Sequence, residues 1–147
     1  MKTGEAGIKL IKGFEGLRLH PYQPVPGDKW TIGYGHTVGV SRGQFITVEE
    51  AHEFLRQDLR VYESCVSKYV KVALNQNQFD ALVSFVFNVG CDAFYRSTML
   101  RMLNLKQYWV CCQFMRWNKF RGKELKGLTR RRKSEADLFK TPVQSLS

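Results

Sequence analysis

The chain lacks any long hydrophobic run. No stretch of it approaches the roughly 20 apolar residues that a membrane-spanning helix needs. Its N-terminal segment also lacks the apolar core of a signal peptide, because Lys9 and Lys12 interrupt the hydrophobic residues there. Hydrophobic residues still make up 44% of the 147 positions, which is enough for one packed core and excludes a disordered chain. We therefore expect a protein that is soluble where it is made.

Cysteine is scarce, and its spacing excludes the common metal sites. The four cysteines are Cys65, Cys91, Cys111 and Cys112. They form no C-x-x-C motif and no cysteine–histidine spacing typical of zinc. For a chain made in a reducing cytoplasm, this pattern predicts four free thiols and no disulfide.

Acidic residues are outnumbered by basic ones, and the excess of positive charge is unevenly distributed along the chain. The chain has 13 acidic and 23 basic residues, a net charge of +10. Between Arg116 and Lys140, ten basic residues stand against three acidic ones. Such a surplus attracts a polyanion, and nucleic acid is the usual first candidate. No zinc finger, ribonucleoprotein motif or ladder of stacking aromatics accompanies it, so an acidic polymer of another kind fits equally well.

A segment of predicted strands and turns lies between two predicted helices. Thr3 is predicted to cap a first helix that ends at Glu15, with Gly16 terminating it. Residues 17–46 are rich in glycine, proline and β-branched residues, which predicts short strands and turns, including a turn at Pro26-Gly27.

The rest of the chain is predicted to be helical. A capping box at Thr47 begins a long helix, and a second box at Asn75 begins a helix buried on more than one side. Further helices are expected at about 97–103, 107–117 and 128–139, with Gly122 and Gly127 in the loop between the last two. Residues 142–147 are expected to form a loose tail. The predicted fold class is α+β, mostly α.

The run from Thr31 to Thr37, TIGYGHT, is the most informative feature of the chain. Its alternating glycines predict a strand with one face open to close approach, and Glu15 is predicted to lie opposite it at a helix end. An isolated G-x-G would more often be a packed turn than a ligand site.

These residues resemble the phage-type lysozymes, the endolysins of glycoside hydrolase family 24. The family's pattern is matched by seven blocks in the right order. They are Glu15–Leu19, Thr31–Thr37, Asn75–Leu82, Phe85–Gly90, Ser97–Leu100, Phe114–Asn118 and Gly127–Glu135. The resemblance implies a single lysozyme domain over residues 1–147 with two lobes. It places a small β-lobe at about 17–46, a long connecting helix, and a helical lobe at about 70–140 that includes the N-terminal helix.

The resemblance also implies a catalytic set, and one member of it is displaced. Glu15 matches the acid, and Thr31 matches the threonine that holds the attacking water. The family's aspartate has no counterpart, since counting forward from Glu15 reaches Pro24 and counting back from Thr31 reaches Val25. Asp28 is the one other acid in this loop, so we expect it to act as the second carboxylate. The alternative is that Asp28 only closes a turn.

Four further residues are expected at the site. His36 matches the histidine that closes the strand, and such a histidine is more often a hydrogen-bonded structural element than a proton carrier. Phe87 and Asn88 are predicted to offer the substrate a stacking ring and an amide. Because consecutive residues occupy different helix faces, at most one or two arginines of the run 130–132 are predicted to reach Glu15, and the rest are expected to be solvated. Arg131 is predicted to be the one that orients Glu15.

The family resemblance implies a muramidase that cleaves the β-1,4 bond between N-acetylmuramic acid and N-acetylglucosamine in peptidoglycan. No metal or cofactor is expected, and the chain is expected to be a monomer without stable membrane insertion or nucleic-acid binding. It would wait in the host cytoplasm until a holin permeabilises the membrane, and then act on the cell wall. The alternatives are a catalytically impaired wall-binding relative and a basic nucleic-acid-binding protein.

Overall fold

The computed structural model describes residues 1–144, so the end of the expected tail lies outside the described residues. The chain is mostly helical with two small antiparallel sheets, as predicted. In chain order the elements are α1 (Glu5–Glu15), β1 (Arg18–Tyr22), β2 (Thr31–Gly33), α2 (Val48–Tyr69), α3 (Gln76–Val89), α4 (Cys91–Tyr95), α5 (Thr98–Asn104), a 3₁₀ helix (Tyr108–Arg116), β3 (Lys119–Phe120), β4 (Lys123–Glu124) and α6 (Lys126–Lys140). None of the helices in residues 1–144 has both the length and the apolar character to cross a membrane.

The chain divides into two compact units. The first comprises residues 1–10 and 61–147, and the second comprises residues 11–60. Helix α3 forms the centre of the first unit, with every residue from Phe79 to Val86 buried. Phe85 contacts three further aromatic rings edge-on, with centroids 5.4 to 6.3 Å away. The capping box predicted at Asn75 is present, so both the start of α3 and its burial follow the sequence.

The N-terminus of α1 is held by carboxylates from other helices. The Asp80 side chain accepts hydrogen bonds from the backbone N–H groups of Gly4 (2.9 Å) and Gly7 (3.1 Å). Thr3 donates both its backbone N–H and its hydroxyl to Glu63, at 2.6 Å each. The prediction that Thr3 caps α1 is therefore wrong, because an ionised carboxylate is a stronger acceptor than a hydroxyl and takes over the free N–H groups.

The second unit contains the β1–β2 sheet and the start of α2. Arg18 pairs with Gly33 and Tyr22 with Thr31, so the longer strand bulges between these pairs. The turn predicted at Pro26-Gly27 is present, since the Asp28 N–H donates to the Val25 carbonyl at 2.9 Å.

The C-terminal third departs from the sequence prediction in two ways. The segment expected as a helix at 107–117 is a 3₁₀ helix. The loop expected between the helices at 107–117 and 128–139 contains the β3–β4 hairpin, and Gly127 lies inside the first turn of α6. Two-residue strands are too short to leave a periodic pattern in a sequence, which is why the hairpin was not anticipated.

One pair of cysteines is bonded, contrary to the prediction of four thiols. Cys65 in α2 and Cys91 at the start of α4 form a disulfide across 6.1 Å between their Cα atoms. Cys111 and Cys112 remain thiols. Compartment and cysteine spacing alone could not show that two cysteines 26 positions apart in the sequence lie close together in the fold.

We expect reduction to destabilise the protein. The Cys65–Cys91 bond closes a loop of 26 residues, and restricting the unfolded chain over such a length is worth about 3 kcal/mol. Thermal unfolding with and without a reductant measures this difference. The double variant Cys65→Ser/Cys91→Ser should be insensitive to the reductant, whereas Cys111→Ser/Cys112→Ser should respond like the parent. Equal melting temperatures of the parent in both conditions would contradict the expectation.

Candidate active site

Glu15 is the last residue of α1 and lies half-buried in the second unit. The helix stops there because Gly16 adopts a left-handed conformation (φ 71°), while its N–H donates to the Lys12 carbonyl at 3.0 Å. The carboxylate is thus carried at a defined helix end, as the sequence predicted.

The glycine-rich run folds back on itself instead of continuing as a strand. Ile32 and His36 exchange two backbone hydrogen bonds of 2.9 Å, which closes a tight turn between them. Gly33 (φ 65°) and Gly35 (φ 82°) supply the positive angles that this turn requires. The predicted strand over 31–37 is therefore limited to Thr31–Gly33, because both glycines are used to reverse the chain.

The turn brings Gly35 against the Glu15 carboxylate. A Cβ atom added at Gly35 would lie 3.4 Å from Glu15 Oε2. A larger side chain would occupy the space beside this oxygen, and the positive φ would add backbone strain. The lone acid and the glycine-rich segment are therefore adjacent, as the sequence suggested.

Thr31 lies at the start of β2 and is buried. Its hydroxyl donates to the Lys29 carbonyl at 3.2 Å. Because that bond uses the single hydroxyl proton, the remaining lone pairs of Oγ1 act only as acceptors. Thr31 Oγ1 can therefore accept a hydrogen bond from a water molecule.

Asp28 is exposed and lies at the end of the Pro26-Gly27 turn. Its own carbonyl accepts a hydrogen bond of 2.8 Å from the Gln23 side chain. Within residues 1–144, no hydrogen bond or ion pair of its carboxylate is found. The backbone thus has the turn role that was the alternative interpretation, and a catalytic role for the carboxylate stays a prediction.

His36 is held from two sides in the second unit. Its Nδ1 lies 2.9 Å from Asp58 Oδ2, and its ring stacks on Phe54 with the centroids 4.3 Å apart. The hydrogen-bond partner on α2, Asp58, was not anticipated from the sequence. These contacts orient the imidazole, and a role of His36 in substrate binding stays a prediction.

A second histidine, His52, contacts the last turn of α1. Lys12 donates to His52 Nδ1 at 2.7 Å, and the same ammonium group lies 5.2 Å from the centre of the Tyr34 ring. Burial, and then the positive charges of Lys12 and Arg56, lower the pKa of His52 below its ordinary 6.5, while Glu53 acts in the opposite direction. A neutral His52 accepts the bond from Lys12, and protonation removes that acceptor.

We expect His52 to make the protein less stable in acid. Because its pKa is lower in the folded state, the unfolded state binds more protons in the window below 6.5, so stability is lost as the pH falls through that window. The melting temperature of the parent should drop more between pH 7.5 and 5 than that of His52→Gln, by a few degrees at most. A parallel drop in both proteins would exclude this contribution.

In the first unit, Asn88 is exposed next to the half-buried Phe87 near the end of α3. The Phe87 ring contacts Tyr62 edge-on at 5.2 Å. Asn88 Oδ1 accepts a hydrogen bond of 2.6 Å from Arg132. Since the amide oxygen is engaged, the amide N–H₂ group is the part left to face a ligand.

Arg132 belongs to a buried charge cluster, which we define as Ser84, Arg131, Arg132 and Glu135. Glu135 lies 2.9 Å from Arg132 Nε and 3.4 Å from Arg131 Nε, and it accepts a bond of 2.6 Å from the Ser84 hydroxyl. Arg131 also donates to the Ser84 carbonyl at 3.2 Å. All four side chains are buried. Glu135 holds two of the three arginines in the interior, and Arg130 is exposed, which agrees with the prediction that at most one or two of them face inward.

Burial governs the protonation of this cluster. It lowers the pKa of Arg132 to about 10, with the neighbouring Glu135 opposing the shift. Burial likewise raises the pKa of Glu135 despite the two facing guanidinium groups. The i, i+3 and i, i+4 spacing of Glu135 from the arginines was the signal in the sequence that predicts such pairing.

Comparison with known proteins identifies the family. The phage lysozyme family profile matches residues 12–135. The chain belongs to the phage lysozyme family. Glu15, Gly35, Asn88 and the charge cluster all lie within the matched range.

Individual phage lysozyme relatives are similar over nearly the whole chain. The endolysin of Bacillus phage PZA is 48% identical over 142 residues, which cover 95% of this chain and 55% of the relative. The endolysin of Acyrthosiphon pisum secondary endosymbiont phage 1 is 44% identical over 146 residues, which cover 96% and 99%. The solved muramidase domain of SpmX from Asticaccaulis excentricus has a TM-score of 0.90 and 44% identity, covering 96% of this chain and 99% of that one. The chain thus spans about half the length of one relative and nearly all of another.

Proposed function

We propose that the chain is an endolysin that hydrolyses the β-1,4 bond between N-acetylmuramic acid and N-acetylglucosamine in peptidoglycan. Membership of the phage lysozyme family supports a wall hydrolase. The observation that carries the proposal is the position of Glu15, whose carboxylate lies beside Gly35 at a helix end and in the same compact unit as Thr31.

In this mechanism, protonated Glu15 transfers its proton to the glycosidic oxygen as the bond to the sugar carbon breaks. A water molecule donates one hydrogen bond to Thr31 Oγ1, which has acceptor capacity left, and attacks the developing oxocarbenium-like carbon. Asp28 accepts the proton that this water loses. Proton exchange with solvent then returns Glu15 to its acid form and Asp28 to its carboxylate.

The remaining site residues have supporting roles in the proposal. Arg131 orients the acid, and Phe87 and Asn88 contact the sugar chain through a ring face and an amide N–H₂ group. His36 is held by Asp58 and supports the turn that carries Gly35. Arg132 acts through Asn88, because it binds the amide oxygen and thereby selects which end of the amide faces outward.

The nature of the new chain ends tests the reaction. Purified sacculi are digested, the products are reduced with borohydride, and the fragments are identified by mass spectrometry. A muramidase yields reducing ends that become N-acetylmuramitol. Reduced N-acetylglucosamine ends, or anhydro ends, would indicate another cleavage, and the absence of new ends would favour the impaired wall-binding relative.

We expect Asp28→Asn to reduce turnover by about a hundredfold, since the amide cannot accept the proton that leaves the attacking water. Turnover on a soluble peptidoglycan oligosaccharide measures this. Asp28→Glu, which keeps the carboxylate, should retain a large part of the activity. Near-normal turnover of Asp28→Asn would leave Glu15, Thr31 and water as the complete machinery and Asp28 as a turn residue.

The proposal also includes a change of compartment. The protein accumulates as a monomer in the host cytoplasm and reaches the wall when a holin opens the membrane. The Cys65–Cys91 disulfide fits an enzyme that works outside the reducing cytoplasm, because such bonds persist in oxidising compartments.

A further inference from the structure

A small hairpin that precedes α6 combines basic and apolar side chains at the surface. We define the cationic hairpin as residues 119–126, which comprise β3, a two-residue turn, β4, Leu125 and the first residue of α6. Phe120 pairs with Lys123, and Lys119 pairs with Glu124. Directly opposed residues project from the same side of a hairpin, so Phe120 and Lys123 share one face.

The tip of the cationic hairpin is occupied by an arginine in an unfavourable backbone conformation. Arg121 (φ 51°) and Gly122 (φ 80°) both have positive φ, as a two-residue hairpin turn requires. Asparagine or glycine adopts this conformation more readily than arginine does. The result is a guanidinium group at the tip, 5.2 Å from the centre of the Phe120 ring.

The cationic hairpin is exposed throughout and combines charge with apolar surface. Every residue from 119 to 127 is exposed. Its four cations are Lys119, Arg121, Lys123 and Lys126, and its single anion is Glu124. Phe120 is 57% exposed and Leu125 is 43% exposed. A phenyl ring and a leucine therefore lie in water among basic groups that have one acid to balance them.

We propose that the cationic hairpin adsorbs the protein to the surface of an anionic phospholipid membrane. The basic groups contact the lipid phosphates, while Phe120 and Leu125 enter the boundary between headgroups and acyl chains. A wall polymer would attract the charges equally, but it contains no apolar layer into which these two side chains could transfer from water. The exposed apolar residues are what favour lipid over the wall.

Co-sedimentation with vesicles tests this inference. The full chain is mixed with vesicles of phosphatidylglycerol and phosphatidylcholine, with vesicles of phosphatidylcholine alone, and with purified sacculi. Each cation near an anionic bilayer contributes about fivefold in affinity, so Lys119→Gln/Arg121→Gln/Lys123→Gln should weaken binding to anionic vesicles by about a hundredfold. Phe120→Ser, which leaves the charge unchanged, should weaken it by about tenfold.

Matched controls separate a local contact from net charge. Lys9→Gln/Arg60→Gln/Arg101→Gln removes three other exposed cations and the same total charge, and it should lose only a few-fold in affinity. Tyr95→Ser removes another aromatic side chain with 57% exposure and should bind like the parent. Equal losses in the hairpin variant and its charge-matched control would overturn the proposal. So would hairpin variants that keep vesicle binding but lose sacculus binding, which would make the wall the partner.

A fluorescent reporter tests insertion directly. Phe120→Trp should be quenched by lipids brominated on their acyl chains, whereas Tyr95→Trp should not be quenched beyond the parent protein. Equal quenching at both positions would overturn the insertion of Phe120. Turnover on a soluble oligosaccharide should be unchanged in every hairpin variant, so loss of membrane binding and loss of the proposed muramidase activity are separate outcomes.

Discussion

Glu15→Gln is expected to reduce turnover on peptidoglycan by about a hundred- to ten-thousand-fold while the fold persists. The amide has nearly the same shape as the carboxylic acid, but it has no proton to deliver to the leaving oxygen. The helix end and the Gly35 turn that hold this side chain rest on backbone hydrogen bonds, which the substitution leaves in place. Turbidity loss of a sacculus suspension gives the rate, and circular dichroism with thermal unfolding gives the fold.

A matched control lies on the same helix. Glu5 is exposed in the first turn of α1, and Glu5→Gln makes the identical chemical change without altering the site. Its turnover should equal that of the parent. A Glu15→Gln protein with more than half of the parent's turnover would exclude Glu15 as the acid, and an unfolded one would show that Glu15 has a structural role.

Glu135→Ala is expected to have the largest effect on stability, a loss of about 3 to 5 kcal/mol. The substitution leaves the buried guanidinium groups of Arg131 and Arg132 without the carboxylate that neutralises them, and it removes the acceptor of the Ser84 hydroxyl. For a chain of this length, the melting temperature should fall by about 10 °C or more. Chemical denaturation measures the free energy of unfolding directly.

An exposed acid on the same helix serves as the comparison. Within residues 1–144 the Asp137 carboxylate pairs only with the exposed Lys140, at 3.7 Å, so Asp137→Ala should cost less than about 1 kcal/mol. Glu135→Gln should be less damaging than Glu135→Ala, because the amide oxygen still accepts a hydrogen bond. A small effect of Glu135→Ala, similar to that of Asp137→Ala, would mean that the charge cluster contributes little net stability.

Local signals in the sequence predicted most of the helices correctly. The capping boxes at Thr47 and Asn75 are present as reciprocal hydrogen bonds, and Gly16 ends α1 next to Glu15. Such features depend on residues within four positions of each other, so the local chain is sufficient to specify them. The seven ordered blocks that resemble the phage-type lysozymes indicated the family, and the family profile confirms it.

Features that depend on distant residues were decided by the tertiary structure. The sequence did not show that Cys65 meets Cys91, that Asp80 replaces Thr3 at the start of α1, or that Glu135 draws Arg132 into the interior. Packing of the chain brings the groups in each of these contacts together or buries them. A buried charge is costly unless it has a partner of opposite charge or a hydrogen bond.

The sequence by itself therefore determined the helical class, because periodicity and caps are local properties of the chain. Its resemblance to the phage-type lysozymes indicated the family and the candidate acid Glu15. The tertiary structure decided how the glycine run reverses to place Gly35 beside Glu15, and which end of the Asn88 amide faces outward. It also decided that a phenylalanine is left in water among cations on a hairpin. The reason is physical: distances, burial and the competition for hydrogen-bond partners exist only once the chain has packed.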